Sequence, residues 1–306
     1  MLVAVALLVV GAVVLYVGAE AAVRGGTRLA RALGISSFAV GALLFGVDLE
    51  GLGTSVVASA RDQTAIAAGE IFGTVLFLFT AAFGAALLAA RGPVPSPNRL
   101  MVLAPGVHLI AAAFAIADRY VARLEGVLLL VFYAAYVGLV MRDVRQGAET
   151  GGGHLVTRPS AGPAVALTAG GLLALAGGAA IVVAGGVRLV DEAGLTAGFV
   201  GAAVLGILVS IDEVLLEVLP IRRGAPDLAT GNLLGTLAAF TTGVLGLAAL
   251  VRPLEIDAAG SAAFLGVAVL YAVVATTFVA RGRAGRVLGA FVLASYAAWL
   301  AWSATV

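Results

Sequence analysis

The chain has 306 residues, 62% of them hydrophobic and only 11% charged, with a formal net charge of +1 and a mean hydropathy of +1.12. A soluble domain carries about 25% charged residues, so this composition excludes one and requires an integral membrane protein. The absence of cysteine excludes disulfides, thiolate metal sites and thiol catalysis, and no basic patch interleaved with aromatics argues for nucleic acid.

The apolar runs are continuous over roughly 18–25 residues and do not alternate with period two, so they fit transmembrane helices and not barrel strands. Met1–Gly18 has the apolarity of a signal peptide but lacks a basic leading region and a cleavage site, and is read as the first helix. Breaks at Arg, Gly, Pro and Asp clusters divide the chain into about ten spans: 2–23, 36–59, 65–90, 100–117, 121–141, 163–187, 196–220, 228–251, 257–279 and 285–304. The fold expected is an all-α polytopic membrane protein: a first five-helix repeat over 1–141, a cytoplasmic, flexible linker over 142–162 and a second repeat over 163–306.

All 18 basic residues are arginine; thirteen fall in the linker or in loops after odd-numbered spans and five in loops after even-numbered ones. By the positive-inside rule this bias predicts a multi-pass cell-membrane protein with both termini outside and the central linker cytoplasmic. Five spans per half also means that the halves run in opposite senses through the bilayer, an inverted repeat. The two halves align directly: Gly26, Arg28, Gly34 and Gly41 match Gly186, Arg188, Gly194 and Gly201 at one offset, which runs on to Gly46 and Gly206. The match resumes as Gly69–Thr74 (GEIFGT) against Gly231–Thr236 (GNLLGT), with the offset changed by two residues. Placing that change in the loop around Asp62 sets Glu50 opposite Ser210 and Gly53 opposite Glu213.

The chemistry concentrates in Leu208–Gly243, where Asp212, Glu213 and Glu217 interrupt an apolar segment, and in its counterpart Gly41–Thr80, with Asp48, Glu50 and Glu70. A charged side chain at the bilayer centre costs roughly 2.5–3.5 kcal/mol on insertion scales, and intramembrane carboxylates mark ion or proton pathways. Ser210, Glu213 and Glu217 follow i, i+3, i+7 spacing and share a helix face. Gly46, Gly51 and Gly53 allow a helix break beside Asp48 and Glu50, where free backbone carbonyls could also meet a cation. A carboxylate cluster drawn from both halves is the expectation, in which a proton would compete with a cation.

The less specific readings remain beside these. Glu217 lies near Pro220 and Arg222, as an interfacial snorkelling or ion-paired residue would; Thr74 and Thr236 could simply bond helix backbone; Glu20 and Arg24 form an i, i+4 pair. Tyr296, Trp299 and Trp302 read as an interfacial anchor. His108 reads as a packing residue, and His154 as a loop residue. No Ser/His/Asp arrangement, Walker motif or HExxH is present, so hydrolysis and ATP-driven pumping lack support.

These elements resemble the sodium/calcium exchanger superfamily of cation/Ca²⁺ antiporters, whose two inverted alpha-repeats each carry G-T-S-x-P-E on a broken helix and then G-N-x-x-G-S-N. Leu208–Glu213 sits on the first element and Gly231–Leu237 on the second, joined by Arg222–Asn232 (RRGAPDLATGN). Asp212 replaces the family proline, Leu208-Val209 the Gly-Thr, and Leu237 and Phe240 the later carboxamide and carboxylate, with Val75 and Leu78 at the matching places of the first copy. The resemblance implies an antiporter, not an enzyme, exchanging Ca²⁺ or a related cation for H⁺ or Na⁺ without a cofactor. Its partners would be the bilayer and inorganic cations, and Na⁺/H⁺ exchange or a non-transporting relative are the other outcomes. Carried over strictly, the family's ligand set retains Ser210, Glu213, Thr74 and Thr236. With the acids, the candidate metal ligands are Glu50, Glu213, Ser210, Asp212, Asp48, Glu70, Thr74 and Thr236.

Overall fold

The computed structural model describes residues 2–150, 160–192 and 210–303. These are helical apart from loops and four two-residue strands. Six of the described helices are long and apolar enough to cross a membrane, and shorter apolar helices accompany them. In chain order, α1 is Leu2–Leu33 and α2 is Ser37–Val40, capped by the Ser36 side chain and running into a π turn at Gly41–Phe45. Next come α3, Leu49–Ala60, and α4, Thr64–Ala89, with a π turn at Leu78–Ala82. Helices α5 (Arg99–Ala115) and α6 (Arg123–Thr150) complete the first half. The second half comprises α7 (Ala161–Glu192), α8 (Ile211–Arg222), α9 (Pro226–Val251) with a π turn at Ala239–Val244, α10 (Ala258–Arg281) and α11 (Arg286–Ser303). The expected 36–59 span is thus broken at Gly46–Asp48, where glycines allow it. The first half of the expected 196–220 span lies outside the described residues. So do the strict resemblance positions Leu208 and Val209. Helix α6 continues past residue 141 to Thr150, into the stretch read as linker, and residues 151–159, with His154, lie outside the description.

Helices α1 and α7, 32 residues each, are about 48 Å long at 1.5 Å per residue and exceed the bilayer's hydrocarbon core of about 30 Å. They pack antiparallel through glycines spaced seven apart. A Cβ on Gly11, Gly18 or Gly25 would meet the backbone nitrogens of Val182, Leu175 and Thr168 at 2.8, 2.7 and 2.5 Å; on Gly171, Gly178 or Gly185 it would meet those of Ala22, Leu15 and Leu8 at 2.3, 2.7 and 3.0 Å. Without a hydrophobic drive between helices in lipid, such close backbone approach supplies the association. The two glycine triplets are related by an offset of 160 residues, which is the inverted repeat seen as a contact.

From the break onward the offset is 162. Helices α3 and α8 have twelve residues each. The loops after them are both three residues long, and their central residues Asp62 and Gly224 both have positive φ (65° and 77°). Thr64 and Pro226 both open the next helix. The loop around Asp62 therefore does not absorb the two-residue difference; it falls between Gly46 and Leu49, at the break itself. This corrects the register to Asp48 with Ser210, Glu50 with Asp212, and Gly51 with Glu213.

The halves also clasp at both ends. Val94–Pro95 pairs with Arg283–Ala284, and Tyr120–Val121 with Leu254–Glu255. Asp62 and Arg252 form an ion pair at 2.7 Å, and Glu20 bonds to both Arg24 and Arg223. Each contact joins loops or helix ends that follow spans of the same parity, as an alternating path through the bilayer demands.

Gly178→Leu would drive its side chain into the Leu15 backbone, an overpacking that costs about 1–3 kcal/mol. Its neighbour Gly177 is exposed and has nothing within 4 Å of an added Cβ. The expected result is a lower melting temperature in detergent for Gly178→Leu and little change for Gly177→Leu; equal melting of the two would contradict the glycine pairing.

Candidate ion site

The site begins at the break. The segment leading into it packs backbone to backbone on α9: a Cβ on Gly41 would lie 2.2 Å from the Leu228 oxygen, on Gly231 2.3 Å from the Phe38 oxygen, and on Gly235 2.5 Å from the Ala42 oxygen. A Cβ on Gly46 would come 2.8 Å from the Thr236 nitrogen, so the broken helix of the first half ends against the second half's Asn232–Thr236 turn. At this point Asp48 turns back, its Oδ2 accepting the Gly51 N–H at 3.0 Å and capping α3. Gly51 has no side chain because one would strike that oxygen at 2.5 Å and the Phe240 ring at 2.8 Å.

Around the break lies a cavity of about 480 Å³. One face of α4 lines it through Ile66, Gly69, Glu70, Gly73, Thr74 and Phe77, at the i, i+3, i+4, i+7 spacing of a single helix stripe. Asp48, Gly51 and Thr54 come from the break and α3, and Ser210, Asp212 and Glu213 from the start of α8. Four carboxylates, two from each half, thus line one space, and none of the described residues lining it with them is basic. The Oε2 of Glu213 is buried without a hydrogen-bond partner, while Glu70 accepts from the Thr74 hydroxyl at 3.5 Å. Among the described residues no three His, Asp or Glu side chains are grouped closely enough to hold a metal ion as they stand.

Six of the eight sequence candidates, Asp48, Glu70, Thr74, Ser210, Asp212 and Glu213, are therefore brought together. Thr236 is not: it is buried, and its hydroxyl donates to the Asn232 carbonyl at 2.9 Å, one turn back on its own helix. Glu50 sits in the first turn of α3, but its side chain lies outside the description.

Two readings are corrected. Tyr296 and Trp299 are not both interfacial anchors; they line the cavity, stacked at 6.0 Å between ring centroids, and Phe77 meets Tyr296 edge-on at 5.4 Å. Glu217 is not interfacial: it is fully buried, and Asn232 Nδ2 donates to its Oε1 at 2.9 Å. The signal for Glu217 was the repeat itself, since the 162 offset sets it against Ser55, also fully buried. No such signal marks α11, which has no acid and no repeat motif. His108 packs as expected, bonded to the Thr242 hydroxyl at 3.0 Å and edge-on to Tyr136.

Comparison with known proteins bears on this geometry. A family model described as sodium/calcium exchanger protein matches residues 3–142 and 163–305. The inner membrane protein YrbG of Escherichia coli (strain K12) is 27% identical over 316 residues, covering 98% of this chain and 97% of that relative. Among solved structures, the sodium-calcium exchanger NCX_Mj soaked with 10 mM Na⁺ and zero Ca²⁺ superposes with a TM-score of 0.85 at 21% identity, covering 98% of each chain. The same exchanger soaked with 2.5 mM Na⁺ and 0.1 mM Ca²⁺ gives 0.83 at 22% identity over 97% of each.

Trp299 and Trp302 are the two tryptophans of the chain, and only the first lines the cavity. A cation entering among the carboxylates is expected to change the intrinsic fluorescence of purified protein titrated with CaCl₂ or NaCl. The change should persist in Trp302→Phe and vanish in Trp299→Phe; the reverse pattern would place cation binding elsewhere.

Proposed function

Because the chain belongs to the sodium/calcium exchanger protein family, we propose that it is a secondary active antiporter exchanging Ca²⁺ or a related cation for H⁺ or Na⁺ by alternating access. The observation that carries this reading is the cavity in which Asp48 and Glu70 of one half meet Asp212 and Glu213 of the other, with no arginine among the described residues that line it. Such a site offers hard, anionic oxygens, which suit Ca²⁺. Glu213, Asp212, Asp48 and Glu70 are the carboxylate ligands in this reading, with Ser210 and Thr74 as supporting oxygens and Glu50 adjoining them in the first turn of α3. Thr236 serves the backbone of α9 and holds the Asn232 turn in place. Nothing in this chemistry makes or breaks a covalent bond, and the cations are cargo, so neither enzymatic activity nor a cofactor enters the proposal.

Na⁺/H⁺ exchange is the second reading, and a specific observation favours it: the carboxylates are not grouped as a ready divalent site, and the fully buried Leu237 and Phe240 replace polar ligands with apolar surface. The two repeats are taken as residues 1–141 and 163–306, joined by 142–162 on the cytoplasmic side, with both termini outside.

Proteoliposome flux separates these outcomes. Ca²⁺ uptake that depends on an imposed Na⁺ or pH gradient is expected; pH-gradient dissipation by Na⁺ alone would select the second reading, and silence under every gradient would sink antiport. Glu213→Gln should reduce cation affinity by at least about 10–100-fold, the range seen when even supporting groups of a metal site are lost, and unchanged flux would remove Glu213 from the site. The orientation is tested through the chain's lack of cysteine. Ala117→Cys, in an exposed loop after the fourth span, should react with a membrane-impermeant maleimide in intact cells, and Ser160→Cys only after permeabilisation.

A further inference from the structure

Behind the cavity, one turn along α8 from Glu213, the second half buries another carboxylate that does not line the cavity. Glu217 is fully buried. Its Oε1 accepts from Asn232 Nδ2 at 2.9 Å, across the contact between α8 and α9, and its Oε2 has no hydrogen-bond partner among the described residues. Leaving an ionised carboxylate in this state is costly, because one neutral amide does not offset the loss of hydration and the second oxygen has nothing to offset it.

Among the described residues, no basic side chain bonds to Glu217. The π turn Leu78–Ala82 and the following Phe83–Ala89, both packed on α8, contain no charged residue. The first half of α9 contributes only Asp227, in its first turn. Helix α1 approaches with Glu20 and Arg24, which bond to each other, and Glu20 also takes Arg223. Arg188 of α7 is bonded to Glu192. On α8 itself the acids Asp212 and Glu213 lie toward the cavity, and Arg222 stands in the last turn.

The repeat relation points the same way. At the offset of 162, Glu217 corresponds to Ser55 and Asn232 to Glu70. Each half therefore places one carboxylate and one neutral polar residue at these two positions, but on exchanged helices: α4 in the first half, α8 in the second. In the first half the carboxylate opens onto the cavity; in the second it is closed off.

We propose that Glu217 and Asn232 form a second, occluded cation site that holds one monovalent cation, H⁺ or Na⁺, on the free oxygen of Glu217. A divalent ion does not suit the pair: Ca²⁺ takes six to eight oxygens, usually with more than one carboxylate, whereas Glu217 is a single carboxylate and, among the described residues, no three His, Asp or Glu are grouped closely enough to hold a metal ion. One negative charge and one amide match one positive charge. Under the antiport reading this is the counter-ion's resting place, but occupancy itself does not depend on transport.

The test reads occupancy in detergent-purified full-length protein, without flux. Infrared spectra compare wild type with Glu217→Gln, which keeps the shape and the polar contact to Asn232; melting temperatures of both are measured in NaCl and in choline chloride at equal ionic strength. If the occupant is H⁺, wild type at neutral pH shows a carboxylic-acid carbonyl band that Glu217→Gln lacks. If it is Na⁺, wild type shows a Na⁺-dependent rise in melting temperature that Glu217→Gln loses. A variant identical to wild type in both readouts overturns the proposal. Should Glu217→Gln fail to fold, Asn232→Asp decides: a second carboxylate against Glu217 should strengthen the Na⁺-dependent shift or add an acid band, while a loss of stability indifferent to Na⁺ and pH would reduce the pair to a structural hydrogen bond and overturn the proposal. Silent proteoliposomes with positive occupancy would sink the antiport reading and leave this one standing.

Discussion

The structure depends on backbone meeting backbone at glycine. In a bilayer the apolar side chain has no preference for a protein neighbour over lipid, so helices hold together where they approach closely enough for dispersion to add up. Two sets of glycines do this here. The heptad-spaced triplets of α1 and α7 join the long outer helices, and Gly41, Gly46, Gly231 and Gly235 lock the segment before the break onto α9. The second contact fixes the functional geometry, because a broken helix leaves unbonded peptide groups that are tolerated at membrane depth only when buried in protein or lining a polar space. Held between the Asn232–Thr236 turn and the cavity, the break has both.

Once the break is held, charge follows from it. Each half carries three acids in this region, Asp48, Glu50 and Glu70 in one and Asp212, Glu213 and Glu217 in the other. The ion pairs that the described arginines form with acids involve other acids, at helix ends and loops: Glu20, Asp62 and Glu192. The protein thus separates its two kinds of charge. These arginine pairs tie helix ends and loops, two of them across the two halves, at Glu20–Arg223 and Asp62–Arg252.

Much of this was legible in the sequence because the constraint acts on composition and spacing. A run of apolar residues long enough to cross a bilayer can be counted, and an acid within it is conspicuous, so the helical membrane fold could be read directly, as could six residues that the structure brings to one cavity. The contribution of α11 was not legible: Tyr296 and Trp299 have the composition of an interfacial belt, and only tertiary packing turns them toward the cavity. Glu217 was misread for a similar reason. Its proximity to Pro220 and Arg222 in sequence suggested the interface, whereas the helix phase that it shares with Glu213 carries it inward, to Asn232. Thr236 lies on the motif but does not line the cavity, and its hydroxyl donates to its own helix, which the sequence motif alone does not reveal.

The two-residue offset shows why the halves cannot be read as copies of one another at the site. Placed at the break, it makes Asp48 the counterpart of Ser210 and Gly51 the counterpart of Glu213, so the position that carries the unpartnered carboxylate in one half is held open by glycine in the other. Gly51 must be open because the Asp48 carboxylate and the Phe240 ring occupy the space that a side chain would need. The first half consequently delivers its acid from the break itself and from α4, and the second from the first turn of α8 and from Glu217 behind it. The fold preserves the two-fold relation in its helices and glycines, where association requires it. It abandons that relation in the acids: among the described side chains, the second half buries Glu217 behind the cavity while the first opens Asp48 and Glu70 onto it.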